Sequence, residues 1–124
     1  MVKKIMLIED EEILSGLLKR KLEENGYEVT VAFDGEEGLG IMKKQKPDLV
    51  LLDIVMPKMG GFEVMEEMNR LPDLNLRNVP VIIVSNSGQP VEIGRAQKLG
   101  IRDYLIKTQF DAQEVVDKVK KILS

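Results

Sequence analysis

Two acidic residues, Glu9 and Asp10, follow the apolar run Ile5-Met6-Leu7-Ile8, and a third, Asp53, follows Leu49-Val50-Leu51-Leu52. A lysine, Lys107, follows Tyr104-Leu105-Ile106. Carboxylates gathered at adjacent strand ends would make a pocket for a hard cation, and a lysine beside them would suit that pocket to phosphate. Three converging carboxylates also repel one another. At ~4 Å and an effective dielectric of about 20, each like-charge pair costs on the order of 4 kcal/mol. A cation would relieve that repulsion. The chain contains neither cysteine nor histidine, so the ligands are oxygens, which select Mg²⁺, Ca²⁺ or Mn²⁺ over zinc. Mg²⁺ is favoured because it tolerates two carboxylates completed by water. A carboxylate can accept a phosphoryl group as a mixed anhydride, and a metal with a lysine can neutralise the equatorial oxygens during transfer. Ser85 ends a fourth apolar run and could offer a hydroxyl to that group. Taken singly these residues have plainer readings: Asp10 as a helix cap, Ser85 as a cap or turn residue, Tyr104 as a strand residue with a wet hydroxyl. Glu9, Asp10, Asp53 and Lys107 together make a combination that those plainer readings do not account for.

The elements that must position these groups are legible as an alternation. Apolar runs at 5–8, 49–52, 81–84 and 104–106, with a weaker one at 27–33, read as strands. Runs 49–52 and 81–84 are apolar throughout, as in strands covered on both faces. The run from Tyr27 to Phe33 alternates, which predicts an edge. Leu14, Leu17, Leu18 and Leu22 share one face of a helix over about 11–25, with Gly26 as its stop. Val115, Val119, Ile122 and Leu123 share one face of a last helix capped by Asp111. Stretches near 36–46, 60–70 and 90–99 fill the same role less cleanly, and Gly38 and Gly40 should weaken the second helix by roughly 1 kcal/mol each. Pro72 and Pro80 bracket a loop before the fourth strand. Five strands alternating with five helices predict an α/β fold with a doubly wound parallel sheet and right-handed crossovers. Such sheets bind ligands at the carboxyl ends of their strands, where the acids and Lys107 fall.

The 124 residues and their ordinary composition, 44% hydrophobic and 31% charged, predict one domain over 1–124 able to bury a core without staples. A net charge of -3 argues against nucleic acid as a direct partner. No apolar stretch is long enough for a signal sequence or a membrane span. A cytoplasmic protein is the expectation.

At this point the residues resemble a known family, the receiver domains of two-component response regulators. The resemblance rests on Ile8-Glu9-Asp10-Glu11, Pro47-Asp48 through Asp53-Ile54-Val55-Met56-Pro57, Gly61-Phe62-Glu63, Pro80 through Ser85, and Asp103-Tyr104-Leu105-Ile106-Lys107. It implies a flavodoxin-like (βα)5 fold with strand order 2-1-3-4-5. It implies Asp53 as phospho-acceptor and Mg²⁺ held by Asp10 and Asp53, by Glu9 through water and by the Val55 backbone carbonyl. Lys107 would contact the phosphoryl oxygens, and Ser85 and Tyr104 would be the switch pair. The donor would be a sensor histidine kinase or a phosphotransfer protein, and the output surface the 90–123 face formed by the fourth helix, fifth strand and fifth helix. Such a domain is no enzyme beyond catalysing its own phosphorylation and dephosphorylation.

Several positions depart from the family's pattern. Asn86 follows Ser85 where a small residue is usual, and Gly60 replaces a common Asp or Asn. Thr108, not proline, follows Lys107, and Phe110 comes three residues after the lysine instead of two. A non-proline cis bond costs ~2.5–4 kcal/mol, so a trans Lys107–Thr108 bond in a reshaped loop is expected, with Phe110 still reaching the edge of the core. Three rival readings are weaker. A flavodoxin-like cofactor binder would need a Gly/Ser/Thr loop after the first strand, where this chain has Glu9-Asp10-Glu11-Glu12. A metal-dependent phosphatase would need a carboxylate two residues past the nucleophile, where Val55 stands. A receiver-like interaction module that works without phosphorylation would leave the acid pair, Asp53 and Lys107 without a task.

Overall fold

The computed structural model describes residues 2–71 and 75–124. Pro72, one of the two expected loop boundaries, lies outside the described residues. Along the chain come β1 (Lys4–Ile8), α1 (Glu12–Glu24), β2 (Glu28–Ala32), α2 (Gly35–Lys44), β3 (Leu49–Leu52), α3 (Gly61–Arg70), a 3-10 turn (Leu76–Asn78), β4 (Val81–Ser85), α4 (Pro90–Lys98), β5 (Asp103–Ile106) and α5 (Ala112–Leu123). The strands form one five-stranded sheet in the order β2-β1-β3-β4-β5, parallel at every pairing. The alternating run at 27–33 is an edge strand, as its pattern predicts. The last apolar run begins one residue earlier than the sequence suggests, at Asp103.

Period-2 side-chain alternation divides the core between the two faces of the sheet. Ile5, Leu7, Leu49, Leu51, Ile82, Val84 and Leu105 pack on one side with Leu18 and Leu22 of α1 and Val115, Val116 and Val119 of α5. Met6, Ile8, Val50, Leu52 and Ile83 pack on the other with residues of α2 and α3 and with Ala96 of α4. Burial on both faces is why β1, β3 and β4 read as unbroken apolar runs.

Local signals set the helix ends. Gly26, at φ 90, takes the left-handed turn that closes α1. Asp111 caps α5 through a capping box, its carboxylate accepting from the Glu114 N–H at 2.9 Å while Glu114 accepts from the Asp111 N–H at 3.2 Å. Gly38 has a packing role that its low propensity hides. A Cβ there would run into the Ile8 side chain, so glycine is what lets α2 lie close against β1.

Candidate functional site

Three of the expected residues are the first to follow a strand, and each is pinned there by the neighbouring strand. The Glu9 N–H donates to the Ala32 carbonyl of β2 at 3.0 Å, and the Asp53 N–H to the Ile8 carbonyl of β1 at 3.0 Å. The Lys107 N–H donates to the Ser85 carbonyl of β4 at 2.7 Å. Parallel ladders thus carry the backbone order past the strand ends, and the charged side chains start from fixed points. Gly61 completes the frame: its N–H donates to the Ile54 carbonyl at 2.8 Å, and any Cβ would collide with the Asp53 carbonyl oxygen. Alpha3 therefore begins directly against the Asp53 backbone.

The side chains converge. Lys107 Nζ lies 2.9 Å from Glu9 Oε1, 3.2 Å from Asp53 Oδ2 and 3.4 Å from Glu11 Oε2. The second Asp53 oxygen, Oδ1, accepts from the Ile54 N–H at 2.8 Å, and Glu9 Oε2 accepts from the Glu11 N–H at 3.1 Å. Glu9, Asp53 and Ser85 are the buried polar residues of this end of the sheet. Asp10 is exposed, yet one carboxylate oxygen each from Glu9, Asp10 and Asp53 lie within 4.8 Å of one another. Such an all-oxygen triad, partly desolvated and short of positive charge, fits a hard divalent cation.

The electrostatics record the crowding. Burial pushes the Glu9 carboxyl up to about 7, against the partial relief of its bonds to Lys107 and the Glu11 N–H, with the Asp53 charge adding to the rise. Burial likewise raises Asp53, opposed by Lys107. Burial alone would lower the Lys107 ammonium; its bond to Glu9 and the charge of Asp53 outweigh that and leave it raised.

The other expected residues lie around this centre. Ser85 is buried on β4, beside β3, and its Oγ accepts from the Ser87 N–H at 3.2 Å. Tyr104, half-buried, donates its hydroxyl to the Ser87 carbonyl at 2.6 Å, so both members of the expected switch pair meet the β4–α4 loop. Val55 leaves its side chain exposed. The Lys107–Thr108 bond is trans, as expected. The Gln109 N–H donates to the Ile106 carbonyl at 2.8 Å to close the turn, and Phe110 packs against the α1/α5 side of the core. The sequence reading missed Glu11 as a partner of Lys107; its place two residues past Glu9 was the available signal. It also missed the left-handed Lys58, at φ 66 in the β3–α3 loop.

Comparison with known proteins agrees with this geometry. The family model "Response regulator receiver domain" matches residues 5–120. The alkaline phosphatase synthesis transcriptional regulatory protein PhoP of Bacillus subtilis is 36% identical over 99% of this chain and 49% of its own length. The chain spans about half the length of the curated relatives it matches. Among solved structures, a CheY-like receiver domain from Methanospirillum hungatei superposes with a TM-score of 0.89 at 26% identity, covering 99% of this chain and 94% of the other. The receiver domain of Francisella response regulator 1452 does so at 0.84 and 32% identity, covering 97% and 95%. Fold, strand order and matched residues converge: the chain belongs to the response regulator receiver domain family.

Proposed function

We propose that Asp53 is the phosphoryl acceptor of this receiver and that Glu9, Asp10, Asp53 and the Val55 backbone carbonyl hold Mg²⁺ beside it. The observation that carries the reading is the Lys107 ammonium bound to both Glu9 and Asp53, within a triad of carboxylate oxygens less than 4.8 Å apart. Bound Mg²⁺ supplies charge neutralisation for the transferred phosphoryl group and relief of the carboxylate repulsion. The chain's own residues do the rest. Lys107 opposes the rise that burial imposes on the Asp53 carboxyl and stands ready for the phosphoryl oxygens. The Ile54 N–H fixes the orientation of the Asp53 carboxylate. An Asp53 oxygen bonds to phosphorus as the bond from phosphorus to the donor atom breaks, and the donor leaves with that electron pair.

The donor in the cell is a sensor histidine kinase or a phosphotransfer protein, which brings the histidine this chain lacks. Ser85 and Tyr104 relay the change through Ser87 toward the 90–123 face, where the output partner binds. The role is signalling in the cytoplasm, with no substrate turned over beyond the domain's own phosphorylation and dephosphorylation. Among the described residues no helix is long and apolar enough to cross a membrane. The 124-residue chain carries net charge -3, which disfavours direct contact with nucleic acid. An effector segment in a longer chain, of the sort that the transcriptional regulators among its relatives suggest, would supply such contact.

Acetyl phosphate with Mg²⁺ tests the assignment. Intact mass should rise by one phosphoryl group in the wild type and stay unchanged in Asp53→Asn. An unmodified wild type, or equal labelling of both, defeats it; the first result would favour an interaction module that works without phosphate.

A further inference from the structure

Glu11 occupies the N-cap position of α1, yet its side chain makes no capping bond to the helix. Glutamate is in any case a poor substitute for the Ser, Thr, Asp or Asn that caps best. Its carboxylate instead reaches Lys107, 3.4 Å away, which is its one side-chain partner among the described residues. The three acids around the lysine differ in what else they do. Glu9 and Asp53 are buried and converge with Asp10 on a single point. The Glu11 side chain is 52% exposed and lies outside that convergence. It therefore stands at the solvent side of the ammonium.

We propose that Glu11 is a positioning residue that restrains Lys107 and whose charge slows phosphorylation by free, multiply charged phosphoryl donors. The inference rests on the assignment of Asp53 and Lys107 above. Two effects of the carboxylate act in the same direction. It holds the ammonium toward the mouth of the pocket, so that Lys107 must leave one countercharge to meet the phosphoryl oxygens. It also sets a negative charge where a negatively charged donor enters, and like charges a few ångströms apart near a wet surface repel by enough to change a rate severalfold. The step itself is unaltered: an Asp53 oxygen forms the bond to phosphorus, and acetate or ammonia departs with the electron pair of the broken bond, ammonia carrying the proton already on the donor nitrogen.

The charge at position 11 can be graded as Glu, Gln and Lys, with phosphorylation followed by intact mass in Mg²⁺ using acetyl phosphate, a dianion, and phosphoramidate, which is singly charged. Thermal melts check that each variant is folded. With acetyl phosphate, Glu11→Gln should react about threefold to tenfold faster than wild type and Glu11→Lys faster again. The gain with phosphoramidate should be clearly smaller. At about 1 M salt, where the Debye length is about 3 Å, the gain with acetyl phosphate should shrink. Equal rates across the series, a slower Gln variant, or the same gain with both donors would overturn the proposal while leaving Asp53 as acceptor. A wild type that takes no phosphoryl group from either donor would instead overturn the underlying assignment, and the proposal with it.

Discussion

The pocket at the strand ends and helix α4 are held in opposite ways. Glu9, Asp53 and Lys107 each follow a strand, have their backbones bonded to the next strand, and have side chains bonded to one another under nearly complete burial. Alpha4 buries a single residue, Ala96, whereas α5 buries Val115, Val116 and Val119. What fixes α4 is a set of side-chain contacts at its surface. Arg95 pairs with Glu66 of α3 at 2.8 Å and lies 4.3 Å over the Phe62 ring. Asn69 donates to the Leu99 carbonyl at 3.3 Å. At its start, Ser87 bonds Glu92, and Tyr104 bonds the Ser87 carbonyl. Rigid placement would suit Asp53 in the proposed role of acceptor, which requires phosphorus to arrive in line. Weak burial would suit α4 if, as proposed, a change at Asp53 moves it, because low-stability segments supply the moving parts of a switch. The two regions meet in the stretch from Ser85 to Ser87.

The contrast should be sharpest on removing a charge from each region. In Lys107→Ala without metal, Glu9 and Asp53 would keep their burial and lose their countercharge. Breaking a buried pair from one side costs about 3–5 kcal/mol, so denaturant unfolding at pH 8 should show a loss approaching that order. The loss should be smaller at pH 5 than at pH 8, because the stranded carboxyls, raised by burial even beside the lysine, hold their protons at the lower pH and are driven to ionise at the higher one. A gap of the same size at both pH values would mean that only the packing of the lysine stem had been lost.

Glu9 gives a second, smaller handle. Its folded-state pKa of about 7 stands above the ordinary value of 4.5. Between those values the folded protein holds a proton that the unfolded chain has released. The stability contributed by that protonation is complete below about pH 4.5 and is lost as pH rises toward 7, on the order of 3 kcal/mol at most. Asp53, also raised by burial, acts in the same direction. In chelator, wild type should therefore lose stability relative to Glu9→Gln across this window, and Mg²⁺ should reverse the trend by binding the ionised pocket. Parallel pH curves for the two proteins in chelator would show that Glu9 ionises as an ordinary carboxylate.

The pocket was legible in the sequence and the behaviour of α4 was not, for physical reasons. Each pocket residue directly follows an apolar run, so finding the strands also found Glu9, Asp53 and Lys107. Parallel pairing of consecutive βα units then leaves their carboxyl ends on one side. Single-residue errors at strand boundaries, such as the missed Asp103, did not disturb this. Contacts between elements distant in sequence leave no local pattern. Arg95 with Glu66 and Tyr104 with Ser87 are visible only once the chain has folded. Gly38 misled in the same way: read locally it weakens α2, whereas its missing Cβ makes room for Ile8.

The smallest expected effect tests the α4 half of the comparison. The Arg95 and Glu66 side chains are each about half exposed, at 55% and 51%, and exposed ion pairs contribute roughly 0–1 kcal/mol. Stacking of the guanidinium over Phe62 adds about 0.5–1 kcal/mol at a site this open. Arg95→Ala should thus lower global stability by only about 1 kcal/mol, because the sheet and its two clusters are untouched. Locally the effect should be far more visible. With a single buried side chain, α4 relies on this contact to stay against α3, so amides from about 90 to 99 should exchange several times faster in the variant. Those of β3, β4 and α5 should lose only the protection that the small global change removes. Such a localised response would identify α4 as a separately opening unit tied to α3 through Arg95. Uniform acceleration across the chain would instead show that α4 unfolds only with the rest of the domain, and that the pocket and the helix are one cooperative body despite their different burial.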